Sequence, residues 1–296
     1  MLIDGVWTDE ADETMQDGRY RRQASTLPQS LDSETESVAT GPGDLIFIAS
    51  QSCPWSHAAT IVHALNDLGD RIPMHIASGP RTQGYRLAKS GPLAGGEEYV
   101  HQLYRRTDPD YTGRATVPLL WDRKASKIIS NESTSILRFF DVSGPDTDLR
   151  PAEHLNEIDP LLESIHSGLA NAVYRAGKAQ RQDEYDQAVS LVYTTLHSLE
   201  DRLRFRKYLV TTHLTEPDIR LFATLVRFDS VYATHFRCTR YRLTDFPNLW
   251  NFTRDIYRFP NVRKTVNFDE IRSGYYLNDG DHNPHGIVAD QPMLDW

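Results

Sequence analysis

Asp44-Leu45-Ile46-Phe47-Ile48-Ala49, followed by Ser52-Cys53-Pro54-Trp55-Ser56-His57, decides how this chain is read. The first run is apolar and of strand length, and the second opens a segment with helical patterning. Pro54 suits the first turn of a helix, where its missing N–H leaves nothing unpaired. Cys53 then falls at the N-cap, facing the free amides and the positive end of the helix dipole. Both favour the thiolate over the thiol. Where a dithiol redox site would carry its second cysteine, in the fourth position of Cys-x-x-Cys, this chain has Ser56. A disulfide formed at Cys53 therefore needs a second thiol from solution to resolve it.

Outward from this stretch, the pattern predicts a βαβ unit: a strand over 44–50, a helix over 54–69 and a strand over 71–78. After Gly79, about thirty residues with Gly-Pro turns are more than a compact domain leaves without structure, which predicts a segment folding over the site. Strand patterning returns at 116–122 and 127–130, and a helix is expected over 132–140, beginning near Asn131. Gly144, Pro145, Pro151 and Pro160 mark 144–159 as a linker. Beyond it, apolar residues recur at three and four positions through 161–173, 185–203, 219–232 and 249–257. Thr215-Glu216-Pro217-Asp218 starts one of these helices with a capping box in which Asp replaces Glu. The reading is an N-terminal arm over 1–42, an α/β domain over 43–143, the linker, an all-helical domain over 160–269 and a tail over 270–296 that lacks a helical period.

A length of 296 residues fits two domains, and 39% hydrophobic with 25% charged residues is a globular composition. No apolar run reaches the length of a membrane span and no signal core follows Met1, so a cytoplasmic protein is expected, without membrane partners. Cys53 and Cys238 are the only cysteines, which argues against a disulfide scaffold. A net charge of −9 argues against nucleic acid as a partner.

Other readings of single residues weigh differently. Cys238, between Arg237 and Thr239, lacks a helix-start setting and is expected to be structural. Glu132 and Ser133 are equally suited to complementing a helix start and to holding a ligand. Tyrosines such as Tyr174, Tyr232, Tyr275 and Tyr276 are each more often packed than catalytic. His57 and His63, six apart, do not share a helical face, so no metal site is expected.

The strand, the Cys-Pro helix and Val117-Pro118 before a strand resemble a thioredoxin-like domain, and the helical second half makes the whole similar to a glutathione transferase. Narrower phrases are Cys53-Pro54-Trp55-Ser56-His57, Val117-Pro118-Leu119-Leu120-Trp121-Asp122, Ser130-Asn131-Glu132-Ser133, Val173-Tyr174-Arg175-Ala176-Gly177, Arg227-Phe228-Asp229-Ser230-Val231-Tyr232 and Val266-Asn267-Phe268-Asp269. In this order they resemble the glutathionyl-hydroquinone reductases, the Xi-class glutathione transferases. The resemblance implies that Cys53 attacks the sulfur of a glutathionyl-hydroquinone, leaving a mixed disulfide that a second glutathione resolves. It implies that Glu132 and Ser133 hold the γ-glutamyl end, that the Val117–Pro118 bond is cis, with Val117 turned toward the cysteinyl part, and that Trp55 lines the site. Tyr174, Tyr232 and Tyr276 would face the quinol and act in catalysis. Glutathione or another low-molecular-weight thiol is the implied co-substrate, quinol conjugates are the substrates, and a homodimer is expected.

The chain departs from the family at two positions. Ala58 stands where the family usually has Arg, and Gly84-Tyr85 where it has Gly-Trp, so Tyr85 is the expected thiol-binding counterpart. Both changes predict weak glutathione binding or a pocket suited to a different thiol. Two alternatives keep the fold without the activity: a glutaredoxin-like deglutathionylase of mixed disulfides, and a binding module in which Cys53 has no turnover role.

Overall fold

The computed structural model describes residues 1–9, 15–16, 18–20, 25–27, 31, 41–93, 96–280 and 282–296. They fall into two compact units. One comprises Met1–Asp12, Gln23–Thr147 and Thr265–Ile287, the other Glu13–Arg22, Asp148–Lys264 and Val288–Trp296, each taken over its described residues. Much of the expected arm, 1–42, lies outside the described residues. Its described parts include two short hairpins, β1 (Leu2–Ile3) with β2 (Val6–Trp7), and β3 (Met15–Gln16) with β4 (Arg19–Tyr20).

The first unit is built on the apolar run. All five residues of β5 (Leu45–Ala49) are buried, as expected for a strand covered on both faces. It is the central strand of a sheet ordered β7-β6-β5-β8-β9. β6 (Met74–Ser78) runs parallel to β5, whereas β7 (Arg86–Leu87), β8 (Leu119–Asp122) and β9 (Lys127–Ser130) pair antiparallel to their neighbours. Period-two alternation splits β5 between two cores. Ile46 and Ile48 join Val100, Leu103 and Tyr104 of α2 (Val100–Thr107). Phe47 meets Phe140 of α3 (Ser133–Val142) edge-on, ring centroids 4.9 Å apart, on the side of α1 (Pro54–Leu65).

The segment after Gly79 is therefore not irregular throughout: it contributes β7 to the sheet edge and α2 to one core. The helix expected to run to 69 ends at Leu65. The tail expected to lack helical order contains α10 (Phe268–Tyr276), capped by the Asn267 side chain, which accepts the Glu270 N–H at 3.1 Å. Residues Thr265–Ile287 group with the first unit, whereas Val288–Trp296 group with the second. One tie is local to the site: His57 on α1 lies 2.9 Å from the Thr265 hydroxyl.

The second unit joins the β3–β4 hairpin and the non-helical segment Val288–Trp296 to a set of helices. Its helices are α4 (Leu155–Ile165), α5 (Ala172–Lys178), α6 (Gln182–Leu203), α7 (Glu216–Leu225), α8 (Pro247–Tyr257) and α9 (Pro260–Arg263). α4 begins inside the expected linker and carries Pro160 within its first two turns. The continuous helices expected over 161–173 and 219–232 are each broken by a π-turn, at His166–Ala170 and Phe228–Tyr232. Such insertions re-aim side chains and are frequent at functional sites. The Thr215 capping box is present and fully buried: Asp218 accepts the Thr215 N–H at 2.8 Å, its hydroxyl at 2.6 Å and the Leu209 N–H at 2.8 Å.

Candidate active site

Cys53 is the N-cap of α1, and its extended backbone (φ −84°, ψ 115°) lets the side chain fold back over the first turn. Sγ accepts the Ser56 N–H at 3.4 Å and lies 3.5 Å from the Val117 carbonyl, to which the thiol donates. The residue is 6% exposed. The sulfur thus sits between the Val117 carbonyl and the first-turn amide of Ser56, at the N-terminal end of α1. Cys238 has none of this. It is 0% exposed, and burial pushes its thiol up to about 12.

The Val117–Pro118 bond opposite Cys53 is cis. Its approach is held by Tyr104 of α2, whose hydroxyl accepts the Thr116 N–H at 3.1 Å and lies 3.0 Å from the Thr116 carbonyl. The same hydroxyl accepts the Asn131 side-chain amide at 2.9 Å. The segment before β8 that carries Val117 and the loop leading into α3 are thereby fixed by one buried phenol. Burial raises the Tyr104 pKa to about 12. Sequence reasoning missed Tyr104, because nothing in Val100–Thr107 marks a residue that bridges two distant segments.

At the start of α3, Glu132 is the N-cap, and Oε2 accepts the Ser135 N–H at 2.7 Å and the Ser135 hydroxyl at 3.2 Å. One carboxylate oxygen is thus committed to the helix start. Ser133 opens the helix and is half-buried. Cys53 and Val117 belong to one apolar cluster, against which half-buried Trp55 and Tyr85 pack. Tyr275 and Tyr276 are both buried on α10.

Tyr174 and Tyr232 lie in the second unit, on α5 and on the π-turn that follows α7. Their ring centroids are 6.2 Å apart, and Phe236 stacks on Tyr232 at 5.6 Å. Tyr20 of the β3–β4 hairpin stacks on Tyr174 at 6.2 Å, with the hairpin anchored by Arg19 to the buried carboxylate of Glu184 at 2.6 Å. Tyr20 carries no sequence signal, since a two-residue strand offers no period. Among the described residues no group of three or more His, Cys, Asp or Glu could hold a metal ion. Nor, among them, is any helix long and apolar enough to cross a membrane.

Comparison with known proteins agrees with this architecture. Residues 182–255 match the family described as "Glutathione S-transferase, C-terminal domain". The glutathionyl-hydroquinone reductase YqjG of Escherichia coli (strain K12) is 40% identical over 313 residues, covering 99% of this chain and 95% of that protein. The glutathionyl-hydroquinone reductase PcpF of Sphingobium chlorophenolicum is 36% identical, covering 99% and 96%. Among solved structures, the Xi-class glutathione transferase of Natrialba magadii superposes with a TM-score of 0.91 at 36% identity, covering 100% of this chain and 94% of that one. With the glutathione-bound structure of YqjG the TM-score is 0.85, at 36% identity and a coverage of 99% and 96%. A thioredoxin-like unit with a cysteine at its first helix start, a helical glutathione-transferase unit and relatives of this identity over nearly the whole chain lead to one conclusion: the chain belongs to the Xi-class glutathione transferases, the glutathionyl-hydroquinone reductase family, and is an enzyme of that type.

Proposed function

We propose that this enzyme reduces S-glutathionyl-type hydroquinones by thiol exchange at Cys53. The observation that carries the reading is the placement of Sγ at the α1 N-cap, accepting the Ser56 amide and facing the Val117 carbonyl, with Ser56 where a resolving cysteine would stand. The Cys53 thiolate attacks the thioether sulfur and the aryl carbon–sulfur bond breaks. The bond's electron pair goes to the aryl carbon, which takes up a proton, and hydroquinone leaves. Cys53 is left in a mixed disulfide with the glutathionyl sulfur. A second thiolate attacks that sulfur, a disulfide departs and the Cys53 thiolate is regenerated. Over the cycle the conjugate's thioether sulfur and one thiol sulfur are oxidised to a disulfide for each aryl carbon reduced.

The remaining residues take roles by chemistry. The free oxygen of Glu132 pairs with the α-amine of the thiol, and Ser133 with the first amides of α3 accepts its α-carboxylate. Val117 and cis Pro118 present backbone to the cysteinyl part, and Trp55 and Tyr85 wall it. Tyr174, Tyr232 and Tyr276 offer hydroxyls to the ring oxygens and to charge developing on the aryl group. A homodimer in a reducing cytoplasm fits this thiol-dependent cycle.

The test is steady-state reduction of a glutathionyl-hydroquinone by wild type, Cys53→Ser and Cys238→Ser. Serine at 53 is a poor nucleophile without an adjacent base and cannot form the disulfide, so its activity is expected to vanish while Cys238→Ser keeps most of it. Comparable losses in two folded variants would refute the single-thiol cycle. Activity toward simple mixed disulfides alone, with none toward the thioether, would favour a deglutathionylase.

A further inference from the structure

The β1–β2 hairpin holds the first unit by two side chains on one face. Asp4 and Gly5, both in the left-handed region (φ 45° and 72°), make the two-residue turn between the strands. Leu2 lies directly opposite Trp7, so both point to the same side, while Ile3 and Val6 are exposed. Leu2 is fully buried in the apolar cluster that contains Cys53 and Val117. Its backbone exchanges two hydrogen bonds of 2.9 Å with Gly113, shortly before Val117 in the chain. The Gly5 N–H donates to the Tyr111 carbonyl at 3.1 Å, and the Asp4 N–H to the Thr112 hydroxyl at 2.9 Å. The hairpin thus clamps the segment that sets the Val117 carbonyl against the Cys53 sulfur.

Trp7 is the second anchor. It stacks on His101 of α2 with ring centroids 4.8 Å apart, and Tyr99 stacks on His101 at 5.6 Å. Gly84 makes room for Trp7, since a Cβ there would meet the indole at 3.0 Å. His101 is 6% exposed, and both its ring nitrogens are buried without a hydrogen-bond partner. Protonation would add a charge and a second unpaired N–H donor to that setting. Burial first, then the positive charges of Arg105 and the Met1 amine, hold the His101 pKa below its ordinary 6.5. The carboxylates on the surrounding elements have partners of their own. Asp9 accepts the Trp7 indole N–H at 2.7 Å, Glu98 pairs with Arg86 at 2.6 Å, and Glu97 with Arg106 at 2.8 Å. The flanking rings attract a cation, a smaller effect than the loss of its water beside two like charges.

We propose that Trp7 and His101 are positioning residues of the Cys53 site: their stack latches the hairpin onto the Val117 segment, and protonation of His101 in mildly acidic solution releases it. An opened hairpin leaves His101 to titrate near its ordinary value, so the open form takes up the proton first and gains as the pH falls below about 6.5. The link to Cys53 rests on the reading of that cysteine as the site of thiol exchange; the latch does not.

The test is amide hydrogen exchange at Leu2 and Gly113, corrected for intrinsic rates, at about pH 7.5 and 5.5 in wild type, His101→Phe and Trp7→Ala. Protection in wild type should fall several-fold, up to roughly tenfold for the one pH unit below 6.5. His101→Phe keeps a ring that cannot charge, so its protection should not change with pH, and Trp7→Ala should exchange fast at both. Alkylation of Cys53, mapped by peptide mass, reads the coupling. The thiolate fraction cancels between wild type and His101→Phe, so their rate ratio should be about one at the higher pH and rise above one at the lower. Protection that falls equally in both proteins, or in neither, would overturn the latch. A hairpin that opens while the rate ratio stays at one would overturn the clamp on Val117. A Cys53 that alkylates no faster than Cys238 at any pH would overturn the thiol reading, with hydrogen exchange still deciding the latch.

Discussion

The hydroxyl of Tyr104 accepts the backbone N–H of Thr116 at 3.1 Å, next to the residue whose carbonyl faces the Cys53 sulfur. With the Asn131 amide donating to the same oxygen at 2.9 Å, one phenol on α2 sets the spacing between the Val117 carbonyl and the start of α3. Tyr104→Phe leaves a part-buried amide and a buried side-chain N–H without their acceptor. The expected cost is about 1–3 kcal/mol, read as a fall in melting temperature of about 2–4 °C per kcal/mol. The KM for the thiol should rise more than kcat falls, because the residue positions the binding segments and touches no reacting atom. An unchanged melting temperature would show that these bonds carry no net stability.

Alkaline stability should depend on Cys238. The folded chain holds this thiol neutral with its pKa raised from 9.0 to about 12. Its contribution is fully present below pH 9 and is lost as the pH rises toward 12, because the unfolded chain releases the proton first. The slope is about 1.36 kcal/mol per pH unit. Tyr104 and Tyr193 add to the fall only above their ordinary value of 10.0. Between pH 9 and 10 the thiol acts without them, so Cys238→Ala should flatten the decline there. Denaturant titrations under reducing conditions at four or five pH values decide it; a decline of the same slope in the variant contradicts the assignment.

Gly274 lets α10 pack directly on Ser52, the residue before Cys53. A Cβ at this position would lie 2.4 Å from the Ser52 Cβ and 2.8 Å from its hydroxyl oxygen. Gly274→Ala therefore has to push α10 away, at a cost of about 1–3 kcal/mol. The displacement should also open Cys53, seen as faster alkylation by a bulky reagent. A variant that melts and alkylates like wild type would mean that the contact is looser than drawn.

Tyr174→Phe should slow reduction of aryl conjugates on the order of 10²-fold, the value of one donor aimed at developing charge. Exchange with a simple mixed disulfide should change little, since it has no quinol ring to contact. Tyr232→Phe tests the same role less cleanly, because Tyr232 is 0% exposed and its loss also bears on the core. Equal slowing of both reactions would favour the deglutathionylase alternative.

What the sequence made legible was local. A buried strand followed by Cys-Pro, a Val-Pro pair before a strand and the Thr215–Asp218 capping box are each encoded within a few residues. α2 was missed because Val100, Leu103 and Tyr104 make a single helical repeat after a Gly-rich stretch, too short to show a period. α10 was missed for a related reason, with Gly274 interrupting a nine-residue helix whose apolar positions are few. The π-turn at Phe228–Tyr232 leaves an apolar spacing that reads as continuous helix. His101 and Tyr104 act through partners far along the chain, such as Trp7 and Asn131, and no local pattern announces a tertiary contact.

The central claim is that reduction of the aryl thioether passes through a disulfide on Cys53. The most direct measurement mixes the reduced enzyme with a glutathionyl-hydroquinone in the absence of any free thiol and follows both the released hydroquinone and the mass of the protein. One equivalent of hydroquinone should appear together with one glutathionyl adduct, mapped to Cys53 by peptide mass and removed when glutathione is added. Hydroquinone released without an adduct, or an adduct on Cys238, would contradict the account.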